Sequence, residues 1–189
     1  MLDQQGQPLP NAVVTLRDGV TAPPLPDSEP AIMRQRGQQF EPRLLLVPVG
    51  TLVSFPNEDA TAHHVYSFSP TKPFELDLYK GDLHPPLRFD KAGVVVLGCN
   101  IHDAMRGVIY VTDAPSYARS DAQGMVTLPA LPGEQQELTL WHPRQISAVP
   151  PVAWATGTPP PALIVAVNAP AAPVVRGLAN WRKARAQAR

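Results

Sequence analysis

The sequence predicts an all-β protein, and three observations carry that prediction. Short runs of β-branched and apolar residues recur along the chain, each bounded by Pro, Gly or Asn. No sustained 3.6-residue apolar periodicity appears before the final stretch. Proline supplies 24 of 189 residues, more than double the usual share of about 5%. That abundance works against helix bundles and favours short strands joined by many turns.

Taken in order, residues 12–16 read as the first strand, entered from the turn-rich residues 6–11. Residues 18–30 contain Pro23, Pro24, Pro26 and Pro30 and read as a linker. Strands follow at 44–47, 51–55, 65–68, 93–97 and 108–111, each apolar or β-branched and closed by a turn residue. Residues 168–173 are rich in Ala and Pro, as in a semi-rigid spacer.

Lys plus Arg number 16 and Asp plus Glu number 16, so the formal charge is zero. Nothing in this balance points to a nucleic-acid partner. The charge is unevenly placed: residues 138–189 carry six bases and no acid, five of the six between Arg176 and Arg189. That tail reads either as a solvated terminus or as a short amphipathic helix making peripheral contact with an acidic partner or membrane surface. No stretch approaches the roughly 20 apolar residues of a transmembrane helix. Residues 1–6 lack the charged and apolar regions of a signal peptide, so the start reads as trimmed or misassigned. A single cysteine excludes an internal disulfide.

That cysteine carries the chemistry. Cys99 follows the apolar run 94–97 and opens a Cys-x2-His-x2-Met loop through His102 and Met105. A strand ending at Cys99 and a tight loop returning into residues 107–111 would aim the three side chains at one point. A second source of imidazole lies upstream in His63 and His64, behind Asn57. One thiolate, two imidazoles and a thioether are the donor set of a blue-copper electron-transfer site. A strand's period of two places only one of His63 and His64 on the inner face. Asn57 is a candidate for bridging the two donor-bearing segments and holding the site's geometry, or a simple turn residue. His84 and His142 lack ligand-like partners and read as structural or surface residues.

The motifs around Asn57, His63 and Cys99–Met105 resemble the cupredoxins, particularly the amicyanin, pseudoazurin and plastocyanin group, over residues 31–111. Residues 63–69 with 97–103 look like bacterial cupredoxin-domain proteins labelled methylamine utilization proteins, although no residue here recognises methylamine. The resemblance implies a cupredoxin Greek-key sandwich and one type 1 copper ion. Its ligands would be His63, Cys99, His102 and Met105, with His64 in the polar position after the ligand. It also implies a periplasmic electron carrier with a redox partner protein and no catalysis of its own.

Residues 6–16 and 120–133 resemble the opening and continuation of small sandwich domains related to the carboxypeptidase regulatory domain. The expected organisation is therefore a copper domain at 31–111 inserted into a discontinuous support sandwich, 1–30 with 112–168, followed by the basic tail 169–189. One enlarged cupredoxin with extra strands is the alternative. A different class of function also stands: a non-redox copper-binding or carrier protein, or a module whose flanking sandwich recognises a protein or glycan.

Overall fold

The computed structural model describes residues 1–19, 29–129, 131–155, 157–158 and 162–168. Within them the regular elements are all strands. The linker expected at 18–30 falls mostly outside the described residues, and the tail 169–189 wholly so. In chain order the strands are β1 (Leu2–Asp3), β2 (Val13–Arg17), β3 (Ala31–Ile32), β4 (Arg34–Arg36), β5 (Gln39–Glu41) and β6 (Leu44–Pro48). Next come β7 (Thr51–Ser54), β8 (His63–Ser67), β9 (Phe74–Tyr79), β10 (Leu87–Phe89) and β11 (Gly93–Cys99). The last are β12 (Arg106–Thr112), β13 (Ser116–Arg119), β14 (Gln135–Trp141), β15 (Val152–Ala155) and β16 (Ile164–Val165).

Two sheets enclose the first core. One has the order β6-β12-β11-β8-β9 and the other β10-β7-β3. The chain crosses between them from β6 to β7, from β7 to β8 and from β9 to β10, so both sheets draw on the same stretch of sequence. Phe40, Val53, Phe55, Val65, Phe89, Val95, Leu97 and Ile109 are buried together, with Cys99 and Met105 in the same cluster. Alternation along each strand supplies these residues: β11 turns Val95, Leu97 and Cys99 inward, and β8 turns His63, Val65 and Ser67 inward. Two glycines make room for neighbouring aromatic side chains. A Cβ on Gly107 would lie 2.9 Å from the Cβ of buried Phe40, and one on Gly98 would lie 2.7 Å from the ring of Tyr66.

The remaining long strands form a separate sheet, β13-β2-β14-β15, with β1 and β16 paired to each other. Strand β2, from the start of the chain, pairs antiparallel with both β13 and β14. Its inward residues Val14 and Leu16 pack with Leu9, Leu138, Leu140, Val165 and Val167 in a second apolar cluster. The two parts are joined by polar and aromatic contacts. Arg17 pairs with Asp113, Arg119 donates to the Leu44 carbonyl at 3.2 Å, and the Tyr110 and Trp141 rings lie 5.2 Å apart.

Candidate metal centre

The hairpin of β11 and β12 builds one side of the site. Its ladder runs from Gly93↔Val111 to Gly98↔Arg106, so residues 99–105 form the loop at its open end. There Met105 N–H donates to the His102 carbonyl at 2.8 Å, tightening the turn. The result brings Cys99 Sγ to 3.8 Å from His102 Nδ1. Cys99 is 4% and Met105 1% exposed, whereas His102 is half-buried and reaches the surface. A cleft of about 480 Å³, lined by Tyr66, Phe68, Val96, Cys99 and Met105 among others, opens on the cysteine side.

The other side is the start of β8. His63 is fully enclosed, and its ring stands edge-on to His102 with centroids 5.0 Å apart. Gln35, on β4, lies against it, with Oε1 3.1 Å from His63 Nδ1. Asp59 Oδ2 lies 3.5 Å from His63 Nε2, yet Nε2 has no hydrogen-bond partner. The Asp59 carboxylate is itself fixed by the turn between β4 and β5. Gly37 and Gln38 both have positive φ there, as two-residue hairpin turns of matching twist require, and their N–H groups donate to Asp59 at 2.6 and 2.8 Å.

Burial of Asp59 would raise its pKa, but these two backbone donors, aided by His63 and His102, hold it below the usual carboxylate range. Burial depresses the His63 pKa, outweighing the attraction of Asp59, and His102 pushes the same way. Both effects favour the neutral imidazole. Behind it, burial pushes the Tyr79 hydroxyl up to about 12 against the lowering effect of its hydrogen bond from Gln35, and the hydroxyl donates to the Phe55 carbonyl.

Asn57, a candidate bridge between the donor-bearing segments or a simple turn residue, bonds within its own loop and to β9. Its amide donates to Thr61 O at 3.0 Å and Tyr79 O at 2.8 Å, and its carbonyl accepts from Asp59 N–H at 3.0 Å. These bonds shape the loop that carries His63 and tie it to β9, away from the Cys99 loop. The link between the two donor-bearing segments is instead a backbone one, Asn100 N–H to His64 O at 3.2 Å. The His64 side chain faces outward, with Nε2 2.7 Å from Glu75 Oε1. Together with Asp77 it forms a group whose donor atoms all lie within 4.8 Å. His142 is buried against Pro10 O at 3.2 Å, and His84 stacks edge-on to Tyr79 at 4.6 Å, both structural placements.

A type 1 copper ion fits these residues in chemistry and neighbourhood: a buried thiol, a nearby imidazole nitrogen, a second buried imidazole with an orphaned nitrogen, and a buried thioether. The strong donors are not drawn onto a single point. Among the described residues, only the outward-facing group of His64, Glu75 and Asp77 has all its donors within 4.8 Å of one another. His63 lies against Gln35 and Asp59, neither of which stands out in the sequence. Gln35 sits between two arginines and looks locally like a solvated triplet. Its burial follows from its parallel bridge to Asn57, 22 residues on.

Two facing sheets with a buried Cys and Met and a half-buried His at one end, and a strand histidine beside them, make an all-β arrangement of the kind that the cupredoxin resemblance implies. Solved structures similar to this chain include a reduced Cu(I) form of an amicyanin mutant at pH 4, 22% identical over 52% of this chain and 98% of that one, with a TM-score of 0.41. A purple cupredoxin from Nitrosopumilus maritimus is 23% identical over 43% and 96%, with a TM-score of 0.38. The copper-containing nitrite reductase of Thermus scotoductus SA-01 is 28% identical over 59% of this chain but 27% of its own, with a TM-score of 0.43. No protein-family model and no curated protein matches the sequence.

Proposed function

We propose that the chain is a type 1 copper protein that carries single electrons, with His63, Cys99, His102 and Met105 as ligands. The observation that carries the reading is the β11–β12 hairpin, which sets Cys99 Sγ 3.8 Å from His102 Nδ1 with the His63 ring beside them. Copper would supply the one-electron Cu(II)/Cu(I) couple. The protein's part is to enclose His63 and to leave His102 half-buried as the edge nearest a redox partner. A periplasmic location belongs to the same reading. Copper loading should give an intense thiolate-to-Cu(II) visible band. Cys99→Ser should abolish that band with the fold intact, and Met105→Leu should keep the colour while moving the reduction potential. A band that survives Cys99→Ser sinks the assignment.

The donors not drawn onto a single point favour a second reading, a copper carrier without redox turnover. Anaerobic reduction followed by reoxidation separates the two, because an electron carrier cycles the Cu(II)/Cu(I) couple reversibly and a copper carrier need not.

For the domains, we propose a copper domain at 31–111 within a support sandwich made of 1–30 and 112–168. The support for it is the pairing of β2 with β13 and β14 and the second apolar cluster. Residues 31–111 expressed alone should then fold and bind copper, since a domain carries its own core. A fragment that stays unfolded, as judged by circular dichroism, favours a single enlarged domain.

A further inference from the structure

Strand β9 carries one residue more than β8 can match. Tyr66 pairs with Glu75 and Val65 with Leu76, but His63 pairs with Tyr79, so the register slips between them. His64 alone therefore stands opposite both Asp77 and Leu78, the two-against-one count of a β-bulge. Strand alternation puts Glu75 and Asp77 on the outer face, both exposed. The bulge turns Leu78 out as well and returns Tyr79 to the core. His64 points to the same outer face, opposite Asp77 and diagonal to Glu75, a spacing that long side chains bridge. One ring nitrogen of His64 and one carboxylate oxygen each from Glu75 and Asp77 all lie within 4.8 Å of one another.

We propose that His64, Glu75 and Asp77 form a second metal site, on the outer face of β8 and β9, which takes a hydrated divalent first-row cation such as Zn²⁺. The imidazole gives a reason separate from the clustering. The His64 side chain is only 17% exposed, and its Nε2 is buried with no hydrogen-bond partner. Glu75 Oε1 lies 2.7 Å from that nitrogen, yet does not meet it along a hydrogen-bonding direction. A buried nitrogen left unbonded costs free energy, and two carboxylates this close repel one another. One cation between the three groups relieves both. The donor set selects its class: imidazole suits Zn²⁺, Cu²⁺ and Ni²⁺, whereas Ca²⁺ and Mg²⁺ favour oxygen alone. Zinc stands about 2.0–2.2 Å from such donors, which sets donors on one ion about 3–4 Å apart. Glu75 is 62% exposed and free to close the small remaining distance. Three protein donors leave room for water on the ion. No residue of the set around Cys99 takes part, so the proposal stands apart from the copper reading.

Zinc titration of the full chain carrying Cys99→Ser tests it, because that substitution removes the thiolate of the other centre and leaves the outer face untouched. Calorimetry should show Zn²⁺ binding, and ¹H–¹⁵N NMR should show the His64 ring nitrogens and the Glu75 and Asp77 amides shifting together as zinc is added. Adding His64→Ala should weaken that binding by at least about tenfold, the loss that even outer partners of a metal ligand produce. Asp77→Asn should act in the same direction. Zinc affinity unchanged by His64→Ala overturns the site, as do shifts confined to His63 and His102. Tighter binding of Ca²⁺ than of Zn²⁺ also overturns it, since two exposed carboxylates without the imidazole would then account for the uptake. Should His64→Ala disturb the strand, as judged by circular dichroism, Glu75→Gln on its exposed side chain decides by the same tenfold criterion.

Discussion

Residues 99–105 and residues 57–63 deliver side chains to the same corner of the sandwich, but different forces hold them there. The first segment is the end of a hairpin. Its ladder runs unbroken from Gly93↔Val111 to Gly98↔Arg106, and the contact of Cys99 with His102 spans three residues. The second depends on partners far along the chain: Gln35, 28 residues from His63, and Tyr79, 22 residues from Asn57. A donor set by its own hairpin tolerates change elsewhere. One set by a polar network inherits every change in that network.

The largest effect expected along this divide is at the paired histidines. His63→Ala should remove or distort the blue site, because it deletes the inward imidazole. His64→Ala should leave the visible spectrum in place and alter only the outer face, where its side chain meets Glu75. The reverse outcome would mean that β8 is shifted by one residue, which turns every side chain to the other face.

A smaller effect probes the hairpin itself. Gly107→Ala puts a Cβ 2.9 Å from the Cβ of Phe40, an atom that moves only with its backbone. Overpacking of this kind costs about 1–3 kcal/mol, readable as a lowered thermal midpoint. Coupling to the two segments should differ: the Cys99–His102 side of the site should loosen while the His63 side stays as it was. An unchanged midpoint would show that β5 yields freely and that the hairpin is not held by this contact.

The same divide explains what the sequence showed. The strands that were legible, among them 44–47, 93–97 and 108–111, are continuous apolar runs, and the Cys99, His102 and Met105 spacing lies within one loop. Strand β9 was not legible, since its register shifts at a bulge opposite His63 and Val65 and acidic residues interrupt its apolar ones. Strand β14 hides its period of two because one inward residue is Gln136. Gln35 and Asp59 were missed for a different reason. Their roles exist only once β4 lies beside Asn57, and no local pattern around Arg34 or Glu58 encodes that approach. Asn57 stood out as a candidate, but its partners could not be read from spacing.

The smallest effect belongs to a carboxylate outside both segments, at the contact between the two parts of the molecule. Asp113 is hydrogen-bonded and paired with Arg17, which together hold its pKa below the usual carboxylate range against the opposing effect of burial. A group depressed in the folded state contributes stability that is present above its unfolded pKa of about 3.9 and is lost as pH falls through the folded value. Both side chains are partly exposed, 31% for Arg17 and 44% for Asp113, so solvent screening limits the contribution to at most about 1 kcal/mol. Asp113→Asn should therefore lower stability slightly at pH 7, and the gap to the wild type should close as pH drops below about 4, where the unfolded carboxylate begins to protonate. Copper loading and the visible band should be untouched, since neither segment of the site contacts this pair. A spectral change in Asp113→Asn would show that the flanking sheet constrains the metal centre, and the contrast between a self-held hairpin and a network-held histidine would then have to include a third support.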